Sequence, residues 1–387
     1  MGILANTVSI CHYRVAGDLP PGDLYAWCAE SLPKQGFSSI ETTSDELSLG
    51  WVHLDDFREA VFDSPAAFWR DHYVAFTLRR DQRKLPAALL KAGIRSAEQD
   101  FLAASPGLSR VPKQKREDIK EAVRGALMSR TLPAPAMFDA VWDTRTGIVT
   151  FASLGNKARE TFEILFAKTF GGLRLQALHP IARAATVAGE ELLPELEKAN
   201  QATTEAALDQ IRSNQWLGWD LLAWLTLRTV NGRQEYQVRT AGPALSNEGF
   251  SAWLDDRMVL QSAGENGPQK VTVAGSQDGF GEVRTALQGG KKITEATLHL
   301  EMGDDSWKLT LKGETFHFGS YRTPPVQIEK DNTVDAASEQ EAAFYERMLL
   351  LEKGLQLFDS VFAAFLADRL TAKWAETEKG LQEWLGQ

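Results

Sequence analysis

Two sets of side chains in this sequence have the types and spacing to do chemistry. The first is a run of cations: Arg79, Arg80, Arg83, Lys84, Lys91, Arg95, Arg110, Lys113, Lys115, Arg116, Lys120, Arg124 and Arg130. Six acids lie among them, so the stretch carries about +7 in a chain whose net charge is −10. A chain this acidic repels a polyanion unless it gathers its positive charge in one place. Gathered basic charge is the electrostatic footprint of phosphate binding. The other reading is a solvated helix face laced by ion pairs, such as Lys113 with Glu117 and Glu121 with Arg124.

The second set is acidic. Glu301, Asp304 and Asp305 precede Lys308 in EMGDDSWK. Two carboxylates and a lysine could hold Mg²⁺ and activate a water, as a nuclease requires. Gly303-Asp304-Asp305 between alternating runs is also how a plain hairpin turn is written. No Walker A run, GxGxxG, HExxH or GxSxG occurs, and the six histidines are scattered. With two cysteines, Cys11 and Cys28, there is neither a zinc cluster nor a disulfide framework. The expectation is a binding protein with no cofactor, no metal and no catalytic residue; a metal-dependent nuclease is the runner-up, and a protein-interaction module that needs no DNA is the second alternative.

These residues need elements to hold them. Residues 7–15, 48–53 and 73–78 are β-branched, aromatic or alternating and predict strands; the third leads into Arg79–Lys84. Pro86 opens a helix with Leu89, Leu90, Ile94 and Phe101 at helical spacing. Ser105-Pro106-Gly107 breaks it, and a second helix runs from Pro112 to Met128 on the stripe Ile119, Val123 and Leu127. The two predict an αα-hairpin over 86–130 with its basic side outward. Asp143–Gly147 predicts a β-turn, 157–170 an amphipathic helix and 173–178 a strand. Residues 190–214 read as helical and acidic, and 215–229 as a tryptophan-rich core helix. Residues 234–325 look β-rich with glycine turns. An acidic linker follows over 329–341, and then a long helical segment to Trp374.

The fold class predicted is α+β, with mixed or antiparallel sheets and interleaved helices. Three stretches organise it: 1–180, containing the basic hairpin; 181–328, helical and then β-rich; and 329–387, linker and C-terminal helix. In the last, Phe344, Leu351, Phe358, Phe362 and Phe365 either fill their own core or close a subunit contact. Hydrophobic content of 43% and charged content of 24% suit a globular protein with a sizeable core. The start has no basic segment leading into an apolar run, and the longest apolar run is too short for a bilayer. A cytoplasmic protein without a membrane partner is therefore expected.

The order of several motifs resembles the recombination-associated RdgC family. They are Gly50-Trp51-Val52, Arg83-Lys84-Leu85-Pro86, Lys115–Lys120, Ser129–Pro133 and Val141–Gly147. Further on come the helix Gly218–Leu225 and Gly290-Lys291-Lys292-Ile293-Thr294. The resemblance runs over about 6–374, is good over 45–180 and is thin over 230–285. It implies a non-enzymatic bacterial protein, a homodimeric ring that encircles duplex DNA without sequence preference. It also implies association with the nucleoid and restraint of RecA-dependent strand exchange, with RecA as a candidate partner. On this reading the DNA contacts come from the basic residues above other than Arg95, together with Lys291 and Lys292. Leu132 stands where family members often carry an aromatic ring.

Overall fold

The computed structural model describes residues 2–43, 45–262, 267–276, 279–327 and 336–386. In chain order the strands are β1 (Thr7–Ala16), β2 (Leu47–Val52), β3 (Trp69–Arg70), β4 (Tyr73–Gln82), β5 (Ala134–Asp143), β6 (Ile148–Phe151), β7 (Arg174–Ala177), β8 (Glu235–Gln237), β9 (Gly249–Ser262), β10 (Gln269–Ala274), β11 (Lys292–Met302), β12 (Asp305–Lys312) and β13 (His317–Arg322). The helices are α1 (Leu24–Ser31), α2 (Ala87–Ala103), α3 (Lys113–Met128), α4 (Asn156–Thr169), α5 (Pro180–Val187), α6 (Leu193–Ala199), α7 (Ala207–Ser213), α8 (Gln215–Val230), α9 (Gly281–Gln288), α10 (Ala336–Arg369) and α11 (Trp374–Gly386). The fold is α+β, as the alternation of strand and helix patterns predicts. The three stretches expected from the sequence follow the chain's length, whereas packing sorts it into two compact units. One holds residues 17–147 and 160–174; the other holds 1–16, 148–159 and 175–387.

The first unit is built on a sheet in the order β5-β4-β2, with β3 on the end of β4. β4 pairs antiparallel with β5 over ten registered positions, from Tyr73 with Asp143 to Gln82 with Ala134. An aromatic core forms between this sheet and the latter part of α4. Trp51, Phe76 and Trp142 meet Phe162, Phe166 and Phe170 there at ring separations of 4.8–6.5 Å. The buried Trp51 indole needs a partner for its N–H, and donates it to Thr169 Oγ1 at 2.7 Å. Beside it, Gly50 lies against the backbone of Phe37, and a Cβ there would come within 2.5 Å of the Phe37 nitrogen. Only glycine allows that approach of two chains.

The second unit carries the sheet β10-β9-β11-β12-β13-β1-β6, with β8 added to β9 and β7 to β1. One pair in it joins the first and last strands in chain order: Thr7 stands opposite Arg322 and Val8 opposite Tyr321. Helix α10 supplies Phe344, Leu351, Phe358, Phe362 and Phe365, all buried in this unit against partners such as Phe316, Phe318 and Trp224. The apolar residues that could have closed a subunit contact are thus spent on the unit's own core. α10 is seated at Gly354, where a Cβ would meet Trp307 Cδ1 at 2.6 Å. One turn earlier on α10, the Trp307 indole donates to the Leu350 carbonyl at 2.8 Å and the Tyr321 hydroxyl to that of Leu351 at 2.9 Å.

Three local expectations change. The stretch 190–214 is not one helix: it breaks between α6 and α7 at a loop held by Asp209, whose carboxylate accepts from the backbone N–H groups of Thr203 and Thr204. Those bonds pull its pKa down to about 2. Helix α9 interrupts the region read as β-rich, after Phe280 takes a left-handed φ of 55°. Of the acidic linker, 329–335 lies outside the described residues, and the remainder is already the first turns of α10.

Candidate nucleic-acid interface

The basic stretch divides at Pro86. Before it lies the end of β4 and the residues just beyond, where side chains alternate between two faces. Arg79, Asp81 and Arg83 take the inner face and are buried; Arg80 and Gln82 are half-buried and Lys84 is exposed. Arg79 binds Asp81 through two nitrogens at 2.9 and 2.8 Å, donates to the Phe57 carbonyl at 3.0 Å and lies over the Phe37 ring. The Asp81 carboxylate raises its pKa further above the already high arginine value.

Arg83 donates to five backbone carbonyls, those of Ile40, Glu41, Thr43, Asp45 and Thr131, at 2.7–3.1 Å. Its fork ties the loop before β2 to the exit of α3. Arg79 and Arg83, expected among the DNA contacts, are therefore withdrawn from the surface: all five N–H groups of Arg83 and three of Arg79 are bound within the fold. Arg80 turns the other way and lies over the Phe138 ring at 5.6 Å.

Beyond Pro86 the arrangement reverses. α2 buries no residue and α3 buries only Ile119 and Met128. The two helices pack chiefly on each other, closely enough that a Cβ on Gly93 would meet Val123 Cγ1 at 2.8 Å. Their outer surface holds Lys91, Arg95, Arg110, Lys113, Lys115, Arg116, Lys120 and Arg124, with Arg130 just past the end of α3, all exposed. Three of these have acidic partners: Arg116 with Glu98 at 3.0 Å, Lys120 with Glu117 at 3.5 Å, and Arg124 with Glu46. The pairs are open to water, where such contacts are worth at most about 1 kcal/mol. Lys84, Lys91, Arg95, Arg110, Lys113, Lys115 and Arg130 form no ion pair among the described residues. Arg95, outside the expected DNA contacts, stands four residues after Lys91, on the same helix face and equally exposed.

The helix starts add to this field. α2 begins after Pro86 and α3 after Pro112, and neither has a side-chain cap or an acid in its first turn. The free N–H groups of α3 point the positive end of the helix dipole toward the turn that carries Lys113, Lys115 and Arg116. Cations there oppose the dipole, and an anion would relieve both. Leu132, 80% exposed, follows Arg130 at the exit of the hairpin.

Residues 10–214 match the model of a protein family described as "Putative exonuclease, RdgC". The chain belongs to the RdgC family. The match covers more than half of the chain and includes the whole hairpin; α8 and everything after it lie beyond the match. No curated protein matches the chain.

The remaining candidates of this RdgC-family chain lie in the second unit. Lys292 opens β11 and is exposed; Lys291 is half-exposed after the left-handed Gly290, φ 79°. The acidic set does not converge. Met302 pairs with Asp305 across a two-residue turn of Gly303 and Asp304, so the glycine-acid run is a hairpin turn. Asp305 and Lys308 are three residues apart on one strand and face opposite ways. Asp305 accepts from Lys353 at 2.9 Å, while Lys308 pairs with Asp256. The nuclease reading drew on Asp304, Asp305 and Lys308 together, and on this strand Asp305 and Lys308 lie on opposite faces. No helix among the described residues is long and apolar enough to cross a membrane.

Proposed function

We propose that this RdgC-family chain binds duplex DNA without regard to sequence, as a homodimer that encloses the duplex, and that it restrains RecA-dependent recombination on the nucleoid. The observation that carries the DNA reading is the hairpin, with its exposed, unpaired cations and two uncapped helix starts on a scaffold that buries almost nothing. A helix pair built for the core would show the opposite. Lysines and arginines directed at phosphates give affinity but carry no base information, which fits sequence-independent binding. The acidic remainder of the chain would keep DNA off other surfaces. The ring, the restraint of RecA and the nucleoid association rest on the family resemblance.

Binding rather than hydrolysis is the activity proposed. The family's description includes an exonuclease, so labelled DNA incubated with Mg²⁺ or Mn²⁺ separates the two; shortened products would overturn the binding-only reading. The main test is salt. With six or more phosphates neutralised, affinity is expected to fall roughly 10³-fold or more between about 50 and 200 mM salt, equally for unrelated duplexes. A flat salt response, or strong preference for one sequence, defeats the proposal.

A further inference from the structure

The second unit contains a cavity of ≈ 530 Å³ with no role in the reading above. It is lined by α8, β8, the start of β9, the end of α10 and the turn after it. Three cations face it, Arg228, Arg239 and Lys373, against two carboxylates, Glu235 and Asp368. Both carboxylates already accept from neutral donors. The Trp224 indole N–H bonds to Asp368 at 3.1 Å, and the Ser251 hydroxyl bonds to Glu235 at 3.0 Å. Among the described residues none of the three cations is in an ion pair with either of them.

Arg228 is held rigidly. Its guanidinium lies 4.8 Å from the centre of the Trp224 ring and 4.7 Å from that of Tyr236, and its Nε donates to the Tyr236 hydroxyl at 2.8 Å. Both rings are buried. A guanidinium fixed by two rings and one hydrogen bond keeps its two terminal nitrogens in a set direction and loses little entropy on binding. Arg239 and Lys373 are exposed and carry free charge to the same opening. A planar donor fork with two further cations, in a recess with room for more than one small ion, is the chemistry of an oxyanion receptor.

We propose that this cavity binds a phosphate group, either free phosphate or the terminal phosphate of a nucleotide. The site lies in the part of the chain that follows the family match, and the proposal does not rest on DNA binding by the hairpin.

The test is calorimetric titration of the full-length protein with inorganic phosphate, with thymidine 5′-monophosphate and with thymidine. Saturable binding of a phosphate-bearing probe at roughly millimolar Kd or tighter, and none of thymidine, is expected; which phosphate probe binds more tightly identifies the source. Replacing Arg239→Gln and Lys373→Gln together should weaken that binding about tenfold or more with an unchanged thermal melt, since both side chains are exposed. Arg228→Lys, which keeps the charge and removes the fork, should weaken it as well. Charge reversal on α3 should leave it intact. The proposal is overturned if neither phosphate probe saturates by about 10 mM, if thymidine binds as well, or if the double variant binds phosphate like the parent. It is also overturned if the α3 reversal abolishes binding, which would place the phosphate on the hairpin.

Discussion

The end of β4 and the αα-hairpin that follows it are neighbours in sequence, share one charge sign and do opposite things with it. On β4 the inner arginines sit in a packed sheet, where a bare cation costs several kcal/mol unless every donor is met. Arg83 meets that demand with five backbone carbonyls, and Arg79 answers it with the Asp81 carboxylate, one carbonyl and the Phe37 ring. On α2 and α3 the cations stand in water above a thin apolar seam, and most have no acidic partner among the described residues. Charge in the first region organises the protein's own chain; charge in the second stays exposed to solvent. A count of basic residues cannot separate the two, because burial and not residue type decides the role.

The sharpest way to break this comparison is to exchange the expected effects. Arg83→Met removes five hydrogen bonds to carbonyls and leaves those groups orphaned. A stability loss of about 3–5 kcal/mol in urea unfolding is expected. A loss below about 1 kcal/mol, with DNA affinity reduced instead, would move Arg83 into the binding set.

The converse variant reverses Lys113, Lys115, Arg116 and Lys120 to Glu. Duplex affinity should drop roughly 10²–10³-fold at moderate salt with the fold intact, since all four are exposed. Equal affinity in the variant and the parent would return the hairpin to a solvated, ion-paired face.

A third measurement concerns a half-buried polar group in the other unit. His317 is held neutral: burial, then Arg159, whose Nη1 lies 3.3 Å from its Nε2, and Lys312 push its pKa down to about 3. The unfolded histidine titrates near 6.5, so below that pH the unfolded chain takes a proton that the folded chain refuses. Stability should therefore fall as pH drops from 6.5 toward 3, by about 2 kcal/mol at pH 5 from this group. The buried His12, pushed down by burial, Arg183 and His317, acts in the same direction. Urea midpoints at pH 7 and pH 5 check this, and His317→Asn should flatten the difference. No change between the two pH values would show that His317 protonates freely in the folded chain.

The smallest effect expected is that of Lys91→Ala. Its side chain is exposed and unpaired, so stability should stay within about 0.5 kcal/mol while DNA affinity weakens modestly. A larger stability loss would mean that α2 packs on more than α3.

Much of the local structure was legible in the sequence because it is written in short-range periods. Alternation marked β1, β2 and β4, and the helical spacing of Leu90, Ile94, Ile119 and Val123 marked the hairpin. Pro86 and Pro112 marked where its helices open. The same alternation could have split Arg79-Arg80-Asp81-Gln82-Arg83-Lys84 into inner and outer sets, had the strand been extended past Leu78 to Gln82. In the carboxylate set, the three-residue spacing of Asp305 and Lys308 already placed them on opposite faces once both lay on a strand. Helix α9 was missed because its eight residues are too few for a clear period and lie among glycines.

What the sequence determined by itself is the composition of each surface: a basic hairpin in an acidic chain, and a C-terminal segment with more aromatic side chains than one helix face leaves in water. What only the tertiary structure decided is which of those groups are spent. The pairing of β1 with β13 joins strands more than 300 residues apart in the chain, as Thr7 with Arg322, and no local pattern encodes it. That unit then buries α10 and closes the cavity around Arg228. The Arg83 fork likewise reaches carbonyls about 40 residues to either side. Contacts made across such separations depend on where the packed chain brings its segments together, and residue order fixes only what each segment can offer there.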